Sequence, residues 1–364
     1  MKVVMKGAGF CSLLAVALGV AAPGFAQAPE APPGASQQPG SVIVFPKFAK
    51  GVSAADGVTP LTEIEVRARC PSDTVCPENE PVKVRFHWVC PGNDDIASKS
   101  TCKESGFDIT LAADGKAVFN PENPTPTGTN LASSAPCPNG YLIGWVISGT
   151  TDRPIKYDGL TGTAVLRDHK GATGAYDAIT IQAVPSLAAR AEITTDIDSR
   201  TGAPALVFDG SAGHYQAVAA GIPQGLELHK LGGPLSSTNA SLILLTLDVR
   251  LNRPNLPTFV DLDFRSDEGV RASTSHDFTC WTEIQNPNID AHFTLAGART
   301  RNGVVISGRA MKVPFNGISD IPGPVTLLGL APTDEGRERR SLDPAYVVKR
   351  FDDSRQTTVF VPFD

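Results

Sequence analysis

Apolar and polar positions alternate most clearly in two stretches of the first half. Over 62–70, Ile64, Val66, Ala68 and Cys70 alternate with Glu63, Glu65, Arg67 and Arg69. Over 82–90, Val82, Val84, Phe86, Trp88 and Cys90 alternate with Lys83, Arg85, His87 and Val89. A period of two sends each apolar set to one face, which predicts strands of an antiparallel sheet with one buried side. A β-branched run at Ser41–Phe45 is stopped by Pro46. Further strands are predicted at 107–111, 116–119, 141–148, 162–167 and 178–184. A second series covers 190–196, 205–208, 226–230, 241–250, 257–265, 269–274, 277–284, 289–296, 303–312, 324–330 and 356–363. Turn signals stand at Asp114-Gly115, Asn139-Gly140 and Asp158-Gly159, and Asp198–Gly202 reads as a hairpin connection. The Pro-, Thr-, Asn- and Ser-rich stretch 120–140 reads as a long loop. Helical periodicity is confined to His214–Ala220 and 334–341. Short, closely spaced strands with Gly and Pro turns predict an all-β fold. Its form is two β-sandwich-like units of mainly antiparallel strands with little helix. A weak boundary near Pro185 divides them into 41–185 and 186–364.

The N-terminus departs from this pattern. Lys2 and Lys6 precede an apolar stretch, roughly Phe10 to Ala22, followed by small residues around Ala26. That order predicts a secretory signal peptide over 1–26. Its apolar run, about a dozen residues, is shorter than the ~20 a bilayer span needs. Cys11 precedes the apolar run, so it does not read as a lipoprotein anchor. Residues 27–40, rich in Pro, Gly, Gln and Ala, read as a disordered tail. No later segment has the length and hydropathy of a membrane helix. Thirty prolines and five tyrosines speak against a membrane barrel with aromatic girdles. The expected location is therefore the periplasm or the cell exterior, with no membrane span in the mature chain. A net charge of −6, with neither sign dominant, gives no reason to expect nucleic acid as a partner.

The cysteines sharpen the expectation. The mature chain holds Cys70, Cys76, Cys90, Cys102, Cys137 and Cys280. An even number in an exported chain implies disulfides. If 62–70 and 82–90 form a hairpin, Cys70 and Cys90 lie at opposite ends and cannot pair. Nearness in sequence then favours Cys70–Cys76 and Cys90–Cys102, leaving Cys137–Cys280. Five cysteines precede Pro185 and one follows it, so full pairing requires a bridge between the two halves. The spacing lacks the tight CxxC pairs of a zinc site. Cys70, Trp88 and Cys137 occur in the immunoglobulin order. However, Ala135 stands where that fold carries tyrosine.

Candidate chemistry is sparse. Asp209-Gly210-Ser211-Ala212-Gly213-His214 echoes a nucleophile elbow, but Asp209 replaces its first glycine and the context is β, so a Gly-Ser loop is expected. Ser275-His276-Asp277 gathers three triad residue types side by side, an arrangement that triads seldom use, and His276 and Asp277 are expected in the turn before strand 277–284. Asp261 and Asp263 share one strand face. They are the candidates for a calcium site or a glycosidase carboxylate, against the plainer reading of a solvated strand face. Asp196-Ile197-Asp198 begins like an EF-hand loop, but Arg200 and the late Gly202 break the pattern. Trp88, Trp145 and Trp281 are expected in the core, the alternative being an exposed carbohydrate platform.

Several stretches taken together resemble a group of exported proteins of environmental bacteria. They are Ser41–Phe48, Leu244–Arg250, Pro257–Phe264, Phe278–Glu283 and Gly323–Leu330. The resemblance covers most of the mature chain and implies no activity and no functional residues. The leading expectation is a non-catalytic exported protein with a structural, surface or binding role, for instance toward a cell-surface or glycan ligand. The alternatives are an exported carbohydrate-active hydrolase and a calcium-stabilised binding module.

Overall fold

The structure is a computed structural model. It describes residues 38–362 with interruptions, the longest being 92–101, 125–133, 229–240, 248–257, 286–303, 313–326 and 344–359. The expected signal segment 1–26, most of the tail 27–40 and the strand expected at 289–296 lie outside the described residues.

In chain order the strands of the first half are β1 (Val42–Ala49), β2 (Thr62–Ala68), β3 (Pro81–Val89), β4 (Glu104–Ala112), β5 (Gly115–Phe119), β6 (Asn139–Ile147), β7 (Leu160–Arg167), β8 (Thr173–Asp177) and β9 (Ile179–Ile181). The second half adds β10 (Asp196–Ile197), β11 (Pro204–Val207), β12 (Ile222–Leu228), β13 (Ser241–Thr246), β14 (Thr258–Ser266), β15 (Arg271–Phe278) and β16 (Trp281–Gln285). It ends with β17 (Val304–Lys312), β18 (Leu327–Leu330), β19 (Thr333–Asp334), β20 (Ser341–Asp343) and β21 (Phe360–Pro362). No helix occurs among the described residues. The fold is all-β, built of sandwich-like antiparallel sheets.

Two sheets carry the first half. One has the order β4-β3-β6-β1-β9, the other β19-β20-β8-β7-β2-β5. The two clearly alternating strands, β2 and β3, therefore belong to different sheets and do not form a hairpin. Their apolar sets meet across the sandwich. Phe86 and Trp88 of β3 pack on Phe107 of β4 and on Phe119 of β5, with ring centroids 5.4–6.3 Å apart. Ile64, Val66 and Ala68 are fully buried opposite them. The turn at Ala113-Asp114 carries the chain from one sheet to the other, with Asp114 at φ 60°. Its carboxylate accepts a hydrogen bond from the Cys70 amide at 3.0 Å.

Pro46 does not end its strand. β1 continues to Ala49, and its register against β6 slips between Phe45 and Phe48. A proline has no N–H to give a ladder, and a bulge is where a sheet tolerates that loss. Tyr176 of β8 clamps the bulge: its hydroxyl accepts from the Lys47 amide at 3.2 Å and donates to the Lys47 carbonyl. Asn139-Gly140 is likewise not a turn but the start of β6, in register with Ala49 and Phe48. A Cβ at Gly140 would collide with the Val89 carbonyl oxygen, so close strand approach is what glycine serves there.

Strands from beyond Pro185 share the core of the first half. Ile243, Leu245, Leu247 and Trp281 are buried in one continuous apolar cluster with Val42, Trp145 and Ile179. The Trp281 indole N–H donates to the Pro46 carbonyl at 2.7 Å, and Lys47 Nζ lies 2.6 Å from Glu283 Oε1. β20 pairs in parallel with β8. The hairpin expected around Asp198–Gly202 appears as antiparallel β10 and β11.

Three disulfides lie within this frame. Cys70 pairs with Cys76, as expected, with Cα atoms 5.8 Å apart. The other two expected pairs are corrected. Cys90 bonds Cys137 (Cα–Cα 5.9 Å) and Cys102 bonds Cys280 (6.3 Å). The reason is strand order. Cys90 directly follows β3 and Cys137 precedes β6, and these strands are neighbours, with Val89 facing Tyr141. The bridge between the two halves exists, but Cys102 makes it.

Candidate functional site

Among the described residues, the cluster that resembles a catalytic triad sits in the loop after β11. Phe208 stacks on Tyr215 at 5.0 Å, and backbone bonds from Gly210 to Tyr215 and from His214 to Ser211 close the loop. Gly213, at φ 89°, permits the reversal. Within the loop Ser211 Oγ lies 2.6 Å from His214 Nδ1, and Asp209 Oδ1 lies 2.9 Å from the same nitrogen. Ser211 Oγ also donates to Asp209 Oδ1 at 2.8 Å. A charge-stabilised nucleophile needs serine and carboxylate on opposite ring nitrogens, so that the imidazole takes a proton from one side and is held from the other. Here both crowd Nδ1, and the serine proton points at the carboxylate. Burial alone pushes the Asp209 carboxyl up. The Ser211 amide, His214 and the Ser211 hydroxyl outweigh it and hold the group below the ordinary carboxylate range. The cluster is a loop lock, in line with the Gly-Ser loop expected there.

A second polar cluster lies on the outer face of β3 and the edge strand β4. Arg85 makes a two-pronged contact with Asp108 at 2.9 and 3.1 Å. Lys83 lies 3.0 Å from Asp108 and 2.7 Å from Asp152. Burial works to raise the Asp108 carboxyl, yet the hydrogen bonds from Arg85 and Lys83 hold it low. His87 follows on the same face, but it is only 8% exposed. Its ring packs on Trp145 at 4.8 Å, Gly106 opposite leaves it room, and Nδ1 lies 3.6 Å from Glu104. Charges on an edge strand also discourage pairing with a second sheet.

A third cluster surrounds the Cys70–Cys76 loop. Nη1 and Nη2 of Arg190 both engage the Glu80 carboxylate, and Nη2 also reaches Cys76 Sγ at 3.7 Å. Arg190 itself has φ 63° and lies over the Tyr157 ring at 5.9 Å. Burial pushes the Tyr157 phenol up to about 12. Sequence reasoning missed this group. Arg190 is 114 residues from Cys76, and nothing in the local pattern of either segment signals the other.

The remaining candidates separate. Ser275, His276 and Asp277 lie inside β15, not in a turn before it. Ser275 and Asp277 are exposed while His276 is half-buried on the opposite face, so strand geometry keeps the three from converging. Asp261 and Asp263 occupy β14, which runs between β15 and β17. In register, Asp261 stands between Ser275 and Arg309, and Asp263 between Ser273 and Ser307. Their side chains lie outside the described residues. The tryptophans form no exposed platform: Trp88 and Trp145 are fully buried and Trp281 is 6% exposed. Among the described residues, no group of three or more His, Cys, Asp or Glu side chains is placed to hold a metal ion. No described helix is long and apolar enough to cross a membrane. No family model matches the chain, and no curated protein matches it.

Proposed function

We propose that the protein is an exported, non-catalytic β-protein with a structural, surface or binding role in the periplasm or outside the cell. The observation that carries this reading is the Asp209–Ser211–His214 loop. There the side chains of a hydrolase are present, yet they satisfy one another instead of leaving a nucleophile for substrate. The three disulfides support export, because such bonds persist in oxidising compartments. The resemblance to exported bacterial proteins belongs to the same proposal. With the tryptophans buried, a glycan ligand would not be held by tryptophan stacking.

The test is a thermal-shift screen of the secreted protein against cell-wall fragments, soluble glycans and metal ions, run beside hydrolysis assays on esters and glycosides. The expected result is a raised Tm with a cell-envelope glycan fragment and no hydrolysis above background. Glycoside cleavage lost in Asp261→Asn or Asp263→Asn would replace the reading by a carbohydrate-active hydrolase. A Tm that rises with Ca²⁺ and falls with chelator would replace it by a calcium-stabilised module.

A further inference from the structure

We propose that the Cys70–Cys76 disulfide is a thiol-exchange site, at which a low-molecular-weight thiol attacks Cys70 and expels Cys76 as a thiolate. The three bridges differ in surroundings. Both sulfurs of Cys102–Cys280 are buried, at 9% and 0% exposure, and the partly exposed Cys137 is bonded to Cys90, at 2% exposure, so exchange at either bond has to reach or expel a sulfur inside the fold, where burial disfavours the thiolate. Cys70 and Cys76 are each partly exposed, in the loop that follows β2. Val75, next to Cys76, is 89% exposed.

The polar neighbours make the two sulfurs unequal. Arg190 Nη2 lies 3.7 Å from Cys76 Sγ and can donate to a negative sulfur there. The Pro71 and Thr74 carbonyl oxygens lie 3.8 and 3.7 Å from Cys70 Sγ, where their negative dipoles oppose a thiolate. Exchange is faster when the leaving thiol has the lower pKa, and a neighbouring guanidinium lowers it. The attacking thiolate therefore forms its new S–S bond with Cys70. The Cys70–Cys76 bond breaks, and its electron pair stays on Cys76 beside Arg190. A second thiol can then attack the mixed disulfide, releasing the oxidised small thiol and leaving both cysteines reduced. Glu80 tunes the step, because its carboxylate offsets part of the Arg190 charge.

The experiment treats the folded mature protein with reduced glutathione, alkylates without denaturant and maps the peptides by mass spectrometry. The expected product carries glutathione on Cys70 and the alkyl group on Cys76, with Cys90–Cys137 and Cys102–Cys280 still linked. Arg190→Gln should slow its formation about tenfold, and Glu80→Gln should accelerate it severalfold. If the Arg190–Glu80 pair is only a mechanical latch, both substitutions loosen the loop and both accelerate exchange, which overturns the proposal. Glutathione on Cys76, no adduct at all, or equal reaction at a buried bridge overturns it too. Glu80→Gln accelerates exchange on either account, so Arg190→Gln is the deciding variant; if it fails to fold, the position of glutathione in the parent protein decides the matter, Cys70 supporting the proposal and Cys76 overturning it.

Discussion

At the scale of single residues, the sandwich is closed by polar side chains that the strand pattern does not announce. Ser41 is fully buried; its hydroxyl donates to Asp158 Oδ1 at 2.7 Å and accepts from the Tyr157 amide at 2.8 Å. Asp158 Oδ1 also takes the Ala183 amide at 2.9 Å. Tyr157, Tyr176 and Tyr215 are buried in the same body. Burial lifts their phenols above the ordinary value of 10.0, Tyr157 to about 12 and the other two further. An ionised phenol in the folded state is thereby disfavoured. Their contribution to stability is complete below about pH 10 and is lost as pH rises from there through the folded values. In an alkaline titration, tyrosinate absorbance should appear together with loss of the β-sheet circular dichroism signal. Ionisation of most tyrosines near pH 10 in a protein that stays folded would contradict this placement. The buried apolar faces of 62–70 and 82–90 could be read from alternation alone. Tyr176 could not, because its partner Lys47 is 129 residues away and is met only through the bulge at Pro46.

At the scale of elements, periodicity identified strands well and partners poorly. It registers which face a strand buries, and β2 and β3 look alike by that measure although they stand in opposite sheets. Pairing depends on where loops lead, and that information is not local. Glycines add a second layer that the sequence only hints at. Gly144 of β6 lies across from Phe86 of β3, and a Cβ there would collide with the Phe86 ring. Phe86 in turn packs on Phe107 and Phe119 between the sheets, so it has little space to retreat. Gly144→Ala should destabilise the protein by about 1–3 kcal/mol, the usual cost of overpacking. Urea unfolding followed by tryptophan fluorescence checks this, and a variant as stable as the parent would mean that Phe86 is free to move. Asp261 and Asp263 were legible as two positions of one strand face. Whether they face an acid or a cation depends on neighbours that no spacing reveals.

At the scale of the molecule, the central claim is that one stapled β-body is formed from strands on both sides of Pro185. The five-to-one split of the cysteines requires a bridge across that point if all six are paired, and Cys102–Cys280 is that bridge. Nearness in sequence misleads about the partners, because strand order places Cys137 beside Cys90 and leaves Cys102 to Cys280. Cys102 and Cys280 are 178 residues apart, so this bridge closes the longest loop. In the chain-entropy model that closure contributes about 5 kcal/mol, against about 2 kcal/mol for the six-residue separation of Cys70 and Cys76. The 47-residue separation of Cys90 and Cys137 contributes about 4 kcal/mol in the same model, so stability rests on the two long-range bridges, while the short Cys70–Cys76 bridge can open at modest cost to the fold.

The most direct measurement is disulfide mapping of the secreted protein by mass spectrometry of its unreduced proteolytic peptides. The expected result is three linked pairs, Cys70–Cys76, Cys90–Cys137 and Cys102–Cys280. A Cys90–Cys102 or Cys137–Cys280 link would contradict the strand order, and free thiols at Cys102 and Cys280 would contradict the single stapled body.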